Sequence, residues 1–78
     1  MYLVAESIET NYRNDTTLFV FELEYFPFEE EAVEWIFSNY GRFSELLVQA
    51  RANEICYITV AVLDSDLATE IRTRWEMK

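Results

Sequence analysis

The sequence predicts a small α+β domain in which one antiparallel sheet is covered on one face by two helices. Two runs of alternating polar and apolar residues open the chain, a helical period follows, and a β-branched apolar run precedes a second helical period. The predicted order is β-β-α-β-β-α, or β-β-α-α-β-α if the segment after the first helix is itself helical. The 78 residues suffice for one domain, 1–78, built as a two-layer sandwich with a sheet of three to four strands.

The first two strands are predicted at residues 2–10 and 16–26, on either side of a cluster of turn-forming residues at 11–15. They should pair as an antiparallel hairpin. Strict alternation in the first strand predicts Leu3 and Ala5 on the same face. In the second strand, aromatic and apolar residues occupy one face, and the other face mixes apolar and acidic side chains: Leu18, Val20, Glu22 and Glu24.

A helix is predicted over residues 28–40. Pro27 suits its first position, where no N–H is needed, and Gly41 suits its C-terminal stop. Glutamates fill the first turn, where the helix dipole favours negative charge. The spacing i, i+3, i+4 and i+7 predicts an apolar stripe that packs on the sheet, formed by Val33, Ile36, Phe37 and Tyr40.

Residues 43–52 fit either a strand or a helix, and the strand is favoured because Gly41 has just ended a helix. Ala52 and Asn53 would then turn the chain into a strand at 54–63. That strand is β-branched and apolar on both faces, which predicts a central place in the sheet.

A second helix is predicted over residues 65–76, with Asp64 as its N-terminal cap. Glu70 and Arg74 stand four residues apart, which predicts an ion pair on its surface. Its buried face is predicted to contain Leu67, Ala68, Ile71 and Trp75.

The charge is strongly negative and unevenly distributed. The chain has 15 acidic and 6 basic residues, and residues 1–41 hold nine acids and one base, a net charge of −8. Such a chain repels nucleic acid phosphates and anionic membrane surfaces, so we expect it to bind neither directly. We expect a basic protein as the partner, unless the charge serves only solubility.

Residue types that carry chemistry are scarce. The chain contains no histidine, and its single cysteine, Cys56, lies in an apolar run typical of a core position. We therefore expect no cofactor, no metal site, no disulfide within the chain and no enzymatic activity. No run approaches the ~18 apolar residues of a membrane span, and the default compartment is the cytoplasm.

Two short stretches resemble small accessory proteins of tailed bacteriophages. They run from Glu34-Trp35 to Asn39-Tyr40-Gly41 and from Asp64-Ser65-Asp66-Leu67-Ala68 to Ile71-Arg72-Thr73-Arg74-Trp75. The resemblance covers about half of the chain and implies an origin: a compact phage protein acting on a host system. It implies no activity and no catalytic residues.

The candidate partner-binding residues are the acids of the second strand and of the first helix: Glu22, Glu24, Glu29, Glu30, Glu31 and Glu34. The glutamates of the helix could also form a solvated face, a metal site or a pair of catalytic carboxylates. The sequence lacks the other ligands that a metal site needs, and a chain this short has little room for the cleft that catalytic carboxylates need. Two hypotheses follow. One is an acidic inhibitor that imitates nucleic acid charge on a basic host protein. The other is a self-assembling structural protein, a homodimer whose acidity serves solubility.

Overall fold

The computed structural model of the protein describes residues 1–26, 28–50 and 56–77, and its elements follow the predicted order β-β-α-β-β-α. They are β1 Tyr2–Asn11, β2 Thr16–Tyr25, α1 Glu30–Ser38, β3 Glu45–Ala50, β4 Cys56–Val62 and α2 Ser65–Arg74. The α+β class is confirmed, and the ambiguous segment after α1 is a strand. The turn predicted at Ala52 and Asn53 lies outside the described residues.

The four strands form one antiparallel sheet in the order β1-β2-β4-β3. β4 is therefore central, as its apolar residues on both faces predicted. β1 and β2 form the predicted hairpin, closed by a turn in which Asp15 has a φ of 55°. Because β2 pairs with β4 only from Phe19 onward, the outer end of the hairpin extends beyond the rest of the sheet.

A β-bulge at Val4 decides which side chains of β1 reach the helices. Leu3 lies opposite Leu23, whereas Ala5 lies opposite Glu22, so β1 has one extra residue between the two pairs. Leu3 therefore faces the helices, where it is 2% exposed, and Ala5 faces away from them. The prediction that Leu3 and Ala5 share a face is wrong, because the bulge interrupts the alternation.

The hydrophobic core lies between the two helices and one face of the sheet, here called the covered face. β2 contributes Phe19, Phe21 and Leu23 to it. Each large aliphatic side chain buried there stabilises the fold by about 1.5–3 kcal/mol relative to an exposed one. The fully buried members are Phe21, Leu23, Ile36, Ile58, Val60, Val62, Leu67, Ala68 and Ile71.

Helix α1 begins at Glu30, two residues later than predicted. The N–H of Glu29 donates to the carbonyl of Phe26 at 2.9 Å, which makes a turn before the helix. The rings of Phe26 and Phe28 stack across this turn, with centroids 5.5 Å apart. Pro27, predicted at the first helical position, lies outside the described residues.

The end of α1 also differs from the prediction. The helix ends at Ser38, and the side-chain amide of Asn39 donates to the carbonyl of Trp35 at 2.8 Å. Gly41 lies in a short 3-10 turn, Tyr40–Arg42, and has no positive φ. The predicted stop at Gly41 is wrong, because Asn39 already satisfies a terminal carbonyl of the helix.

The apolar stripe predicted for α1 is rotated in the structure. Ile36 is fully buried as expected, but Phe37 is 53% exposed and Tyr40 is 63% exposed. Ala32 and Trp35 pack against the core instead. The covered side of α1 is thus narrower than the sequence indicated, and two aromatic side chains remain in solvent.

Helix α2 agrees with the prediction at its start and on its buried face. The carboxylate of Asp64 accepts a hydrogen bond from the N–H of Asp66 at 2.8 Å, which confirms the cap. The predicted buried residues are confirmed, with Trp75 8% exposed. Trp75 meets Trp35 of α1 edge to face at 5.3 Å, which joins the two helices.

The chain leaves α2 earlier than predicted, at Arg74, because its last residues add to the sheet. Trp75 has an extended backbone, and the carbonyl of Glu76 accepts the N–H of Leu3 at 2.9 Å. Met77 then forms a parallel bridge to Leu3. This contact ties the C-terminal segment to β1.

Candidate protein-binding surface

The second face of the sheet lies opposite the helices and is here called the open face. β2 presents Leu18, Val20, Glu22 and Glu24 on it, as alternation predicted, because the residues between them belong to the covered face. Leu18 and Val20 are half-buried and Glu22 is exposed. Apolar and acidic side chains are therefore mixed on one continuous surface.

A shallow depression of about 590 Å³ crosses the open face. Ala61, only 2% exposed, forms part of its floor, and Leu47 of β3 stands at its side, 55% exposed. The residues that line it come from all four strands: Glu9, Leu18, Val20, Glu45, Leu46, Leu47, Thr59 and Ala61. Its centre is apolar, and two of its lining residues are carboxylates.

The four described strands carry negative charge and no base. None of the four strands contains a lysine or an arginine, whereas they contain five glutamates. The register places one of the five, Glu6, on the covered face opposite Phe21. The other four belong to the open face: Glu9, Glu22, Glu24 and Glu45.

Sequence reasoning did not include Glu9, Glu45 and Leu47 among the candidate binding residues. Alternation within each predicted strand does place Glu45 and Leu47 on one face. Alternation does not give the strand order, which brings β3 beside β4 and so puts Glu45 opposite Ala61 and Leu47 opposite Thr59.

Glu24 is less available than the sequence suggested, because it is only 5% exposed. Its cross-strand neighbours on the open face are Tyr2 of β1 and Tyr57 of β4. Directly opposite side chains in an antiparallel sheet lie close together, so two tyrosines enclose this carboxylate. Glu24 therefore offers little surface to a partner, and its role as a binding residue stays a prediction.

The acids of α1 form a separate group. Glu30, Glu31 and Glu34 are exposed, as predicted from their position away from the buried residues of the helix. Glu29 is half-buried, and its carboxylate pairs with the amino group of Met1. This ion pair neutralises Glu29, which leaves three of the four helix glutamates facing solvent.

The structure does not bring the six predicted binding residues together. Helix α1 packs on the covered face through Ile36, whereas Glu22 and Glu24 lie on the open face of the same sheet. The acids therefore occupy two opposite sides of the molecule. A partner that contacts one group directly meets the other only through its long-range field.

Two arginines near α2 are engaged within the protein. Arg42 pairs with Glu70 at 3.3 Å. The guanidinium of Arg74 lies over the rings of Trp35 and Trp75, at 4.7 Å and 5.7 Å from their centroids. Among the described residues Glu70 has its ion pair with Arg42, so the predicted pair with Arg74 is wrong: tertiary contacts override the i,i+4 spacing.

Arg72 is engaged in the same way on the covered side. Its Nε lies 2.6 Å from the carboxylate of Glu6, and its guanidinium lies 5.5 Å from the ring centroids of Phe19 and Phe21. Arginine stacked on aromatic rings is held by cation–π attraction as well as by the ion pair. These arginines stabilise the helix layer on the covered side of the sheet.

Cys56 and Tyr25 meet where β4 begins and β2 ends. Cys56 is a free thiol and half-buried, which is more accessible than the core position predicted for it. Burial raises the pKa of Tyr25 above its ordinary value, and the hydrogen bond with Cys56 raises it further. The chain has no histidine to activate either group as a nucleophile.

Across residues 1–26, 28–50 and 56–77, no three or more histidine, cysteine, aspartate or glutamate side chains form a group that could hold a metal ion. No helix in these ranges is long and apolar enough to span a lipid bilayer. Comparison with protein-family models, with curated proteins and with solved structures finds no match to this chain.

Proposed function

We propose that this protein binds and inhibits a basic protein, one that itself binds nucleic acid. The observation that supports this most directly is the open face, where Glu9 and Glu45 line an apolar depression, Glu22 is exposed on the same face, and the four described strands contain no lysine or arginine. A surface kept only for solubility has no need of a half-buried apolar centre. Apolar centres with polar rims are the usual composition of protein–protein interfaces.

Carboxylates on a rigid sheet can take the place of nucleic acid phosphates. Glu9, Glu22 and Glu45 are held by paired strands, so their spacing is fixed before binding and little entropy is lost. A groove that has evolved to bind phosphates presents lysines and arginines to such a surface. Binding there would block nucleic acid by direct competition.

The exposed acids of α1 contribute to the approach of the partner. Glu30, Glu31 and Glu34 add negative potential that attracts a basic protein over distances up to about 10 Å at ordinary ionic strength. Such charges mainly raise the association rate and its dependence on salt. We propose that these three acids guide the approach of the partner, whereas the residues of the open face contact it.

The resemblance to small phage accessory proteins adds a setting to the proposal. It makes the partner a protein of the bacterial host and the compartment the host cytoplasm. Inhibition of a host nucleic-acid-binding protein would then benefit the phage during infection.

The test is capture of partners from a bacterial lysate at low and at high salt, with purified protein as bait. We expect a basic protein that is retained at low salt and released at high salt. The captured protein, purified, should then lose its DNA in a gel-shift assay as this protein is added. Absence of any salt-sensitive basic partner, or DNA binding that is unaffected, would contradict the proposal.

A homodimer is the second candidate function, and the exposed Leu47 beside the depression favours it. Two copies could cover each other's apolar centre, and the charge would then serve solubility alone. Sedimentation equilibrium distinguishes the two, since self-assembly predicts a dimer with no partner.

A further inference from the structure

We propose that the open face is the docking site for a basic amphipathic helix of the partner. This inference rests on the proposed function and names the part of the partner that is bound. The apolar side of that helix would fill the depression between Leu18, Val20 and Leu47. Its lysine or arginine side chains would pair with Glu9, Glu22 and Glu45.

The architecture leaves an apolar depression on the open face for a helix to fill. One face of the sheet is already covered by α1 and α2, and the other has a depression with a nearly buried floor at Ala61. Helices are the elements that pack on sheet faces in this class of fold. Among Leu18, Val20 and Leu47, the side chain of Leu47 is the most exposed, at 55%, so covering it removes the most apolar surface from water.

The strand register places the exposed glutamates of the open face at a spacing that suits a helix. With strands about 4.8 Å apart and about 3.3 Å per residue, the Cα atoms of Glu9, Glu22 and Glu45 lie about 12–16 Å apart. A helix is about 10–12 Å across with its side chains. Lysines on both borders of its apolar stripe therefore reach carboxylates on both sides of the depression.

The same charges argue against a second copy of this chain as the occupant. Two open faces placed together would bring three exposed glutamates from each copy, Glu9, Glu22 and Glu45, into one interface, with no base from any of the four described strands. Like charges opposed across an interface repel and so disfavour association. A basic helix meets the same carboxylates with the opposite sign.

The experiment uses two synthetic helical peptides as probes. One has a leucine stripe bordered by lysines, and the other has the same lysines with alanine in place of leucine. Binding to the full-length protein is measured by surface plasmon resonance at physiological salt. We expect the leucine peptide to bind at least about tenfold more tightly than the alanine peptide, because only leucine fills the depression. Equal affinities would overturn the inference.

Three protein variants locate the site. The open-face variant combines Glu22→Lys, Glu45→Lys and Leu47→Ser. The matched control combines Asp66→Lys, Glu76→Lys and Met77→Ser, which changes the net charge equally and removes an apolar side chain that is 58% exposed. A third variant, Glu30→Lys with Glu34→Lys and Phe37→Ser, makes the same changes on α1.

We expect the open-face variant to release the leucine peptide at least about tenfold faster, whereas the control retains the wild-type dissociation rate. The α1 variant should associate more slowly and dissociate at the wild-type rate. Circular dichroism melting of each variant establishes that it is folded. If the open-face variant is unfolded, Leu47→Ser alone, on an edge strand, takes its place.

The outcomes separate this inference from the proposed function. If the α1 variant alone speeds dissociation, or all three variants weaken binding equally, the open face is not the site, although a basic partner can still exist. If wild-type protein sediments as a dimer that the open-face variant dissociates, a second copy occupies the face and the inference is overturned. If neither peptide binds and no basic partner is captured from lysate, both proposals fail.

Discussion

The two faces of β2 show how one strand can serve stability on one side and binding on the other. Phe21 and Leu23 are completely buried under the helices, whereas Glu22, between them, is exposed on the open face. The open face retains enough apolar surface at Leu18 and Val20 to form a depression. The comparison teaches that the stability of this domain and its candidate interface depend on separate sets of side chains, which substitutions can test separately.

The largest effect is expected from Trp75→Ala on the covered side. Trp75 is 8% exposed and packs edge to face on Trp35 at 5.3 Å. Removal of a buried tryptophan typically costs about 3–5 kcal/mol. Urea unfolding followed by circular dichroism measures the loss, and Tyr12→Ala, at a side chain 91% exposed, is the control. Similar stability of the two variants would contradict the described packing of α2.

A pair of leucines compares the two faces directly. Leu23 is completely buried on the covered face, whereas Leu47 is 55% exposed on the open face. Leu23→Ala should lower the free energy of unfolding by about 2–5 kcal/mol, and Leu47→Ala by less than about 1 kcal/mol. The same urea experiment measures both. Equal losses would mean that the open face is covered in solution, as in a dimer.

Arg72→Met tests whether the arginines of the helix layer act internally. Methionine keeps the apolar stem but loses the cation over Phe19 and Phe21 and the ion pair with Glu6. We expect a loss of about 0.5–1 kcal/mol, because the ion pair is partly exposed and the cation–π contact is modest. Arg13→Met in the hairpin turn is the control. A loss that is unchanged by high salt would contradict the electrostatic part of this account.

The smallest expected effect is a gain, from Glu34→Lys on α1. Glu30 and Glu34 are both exposed and four residues apart, so they repel. A lysine at 34 attracts Glu30 instead, and the helix should gain about 0.2–0.5 kcal/mol. Thermal melting measures the gain, and Glu34→Gln, which only removes the repulsion, should show a smaller one. A basic partner should associate more slowly with the lysine variant. An unchanged association rate would show that the acids of α1 do not steer the partner.

The strand faces of β2 could be predicted from sequence because alternation is a local property, and the same is true of the cap at Asp64. The buried side of α1 could not be predicted. Ile36 belongs both to the predicted stripe with Phe37 and Tyr40 and to the observed one with Ala32 and Trp35. Helical periodicity does not distinguish these two sets of residues, since both contain Ile36. The contact between Trp35 and Trp75 fixes which side of the helix is buried.

Prediction of the candidate site requires the strand order and register, which involve residues far apart in the sequence. The acids of β2 were recognised from sequence, but Glu24 is enclosed by tyrosines from two other strands. Glu45 and Leu47 join the open face only because β3 pairs with β4. The composition of a surface made from four strands follows from strand order and register, which no single segment specifies.

The extension of the β1–β2 hairpin beyond the sheet has a consequence for deuterium uptake. Residues 16–18 of β2 have a strand on one side only, and the turn beyond them carries Tyr12, 91% exposed. Amides at this end can exchange through local fraying, whereas those of Phe21 and Leu23 require a much larger opening. A single strand would then contain amides with very different lifetimes, and Leu18 lies at the boundary between the fast and the slow ones.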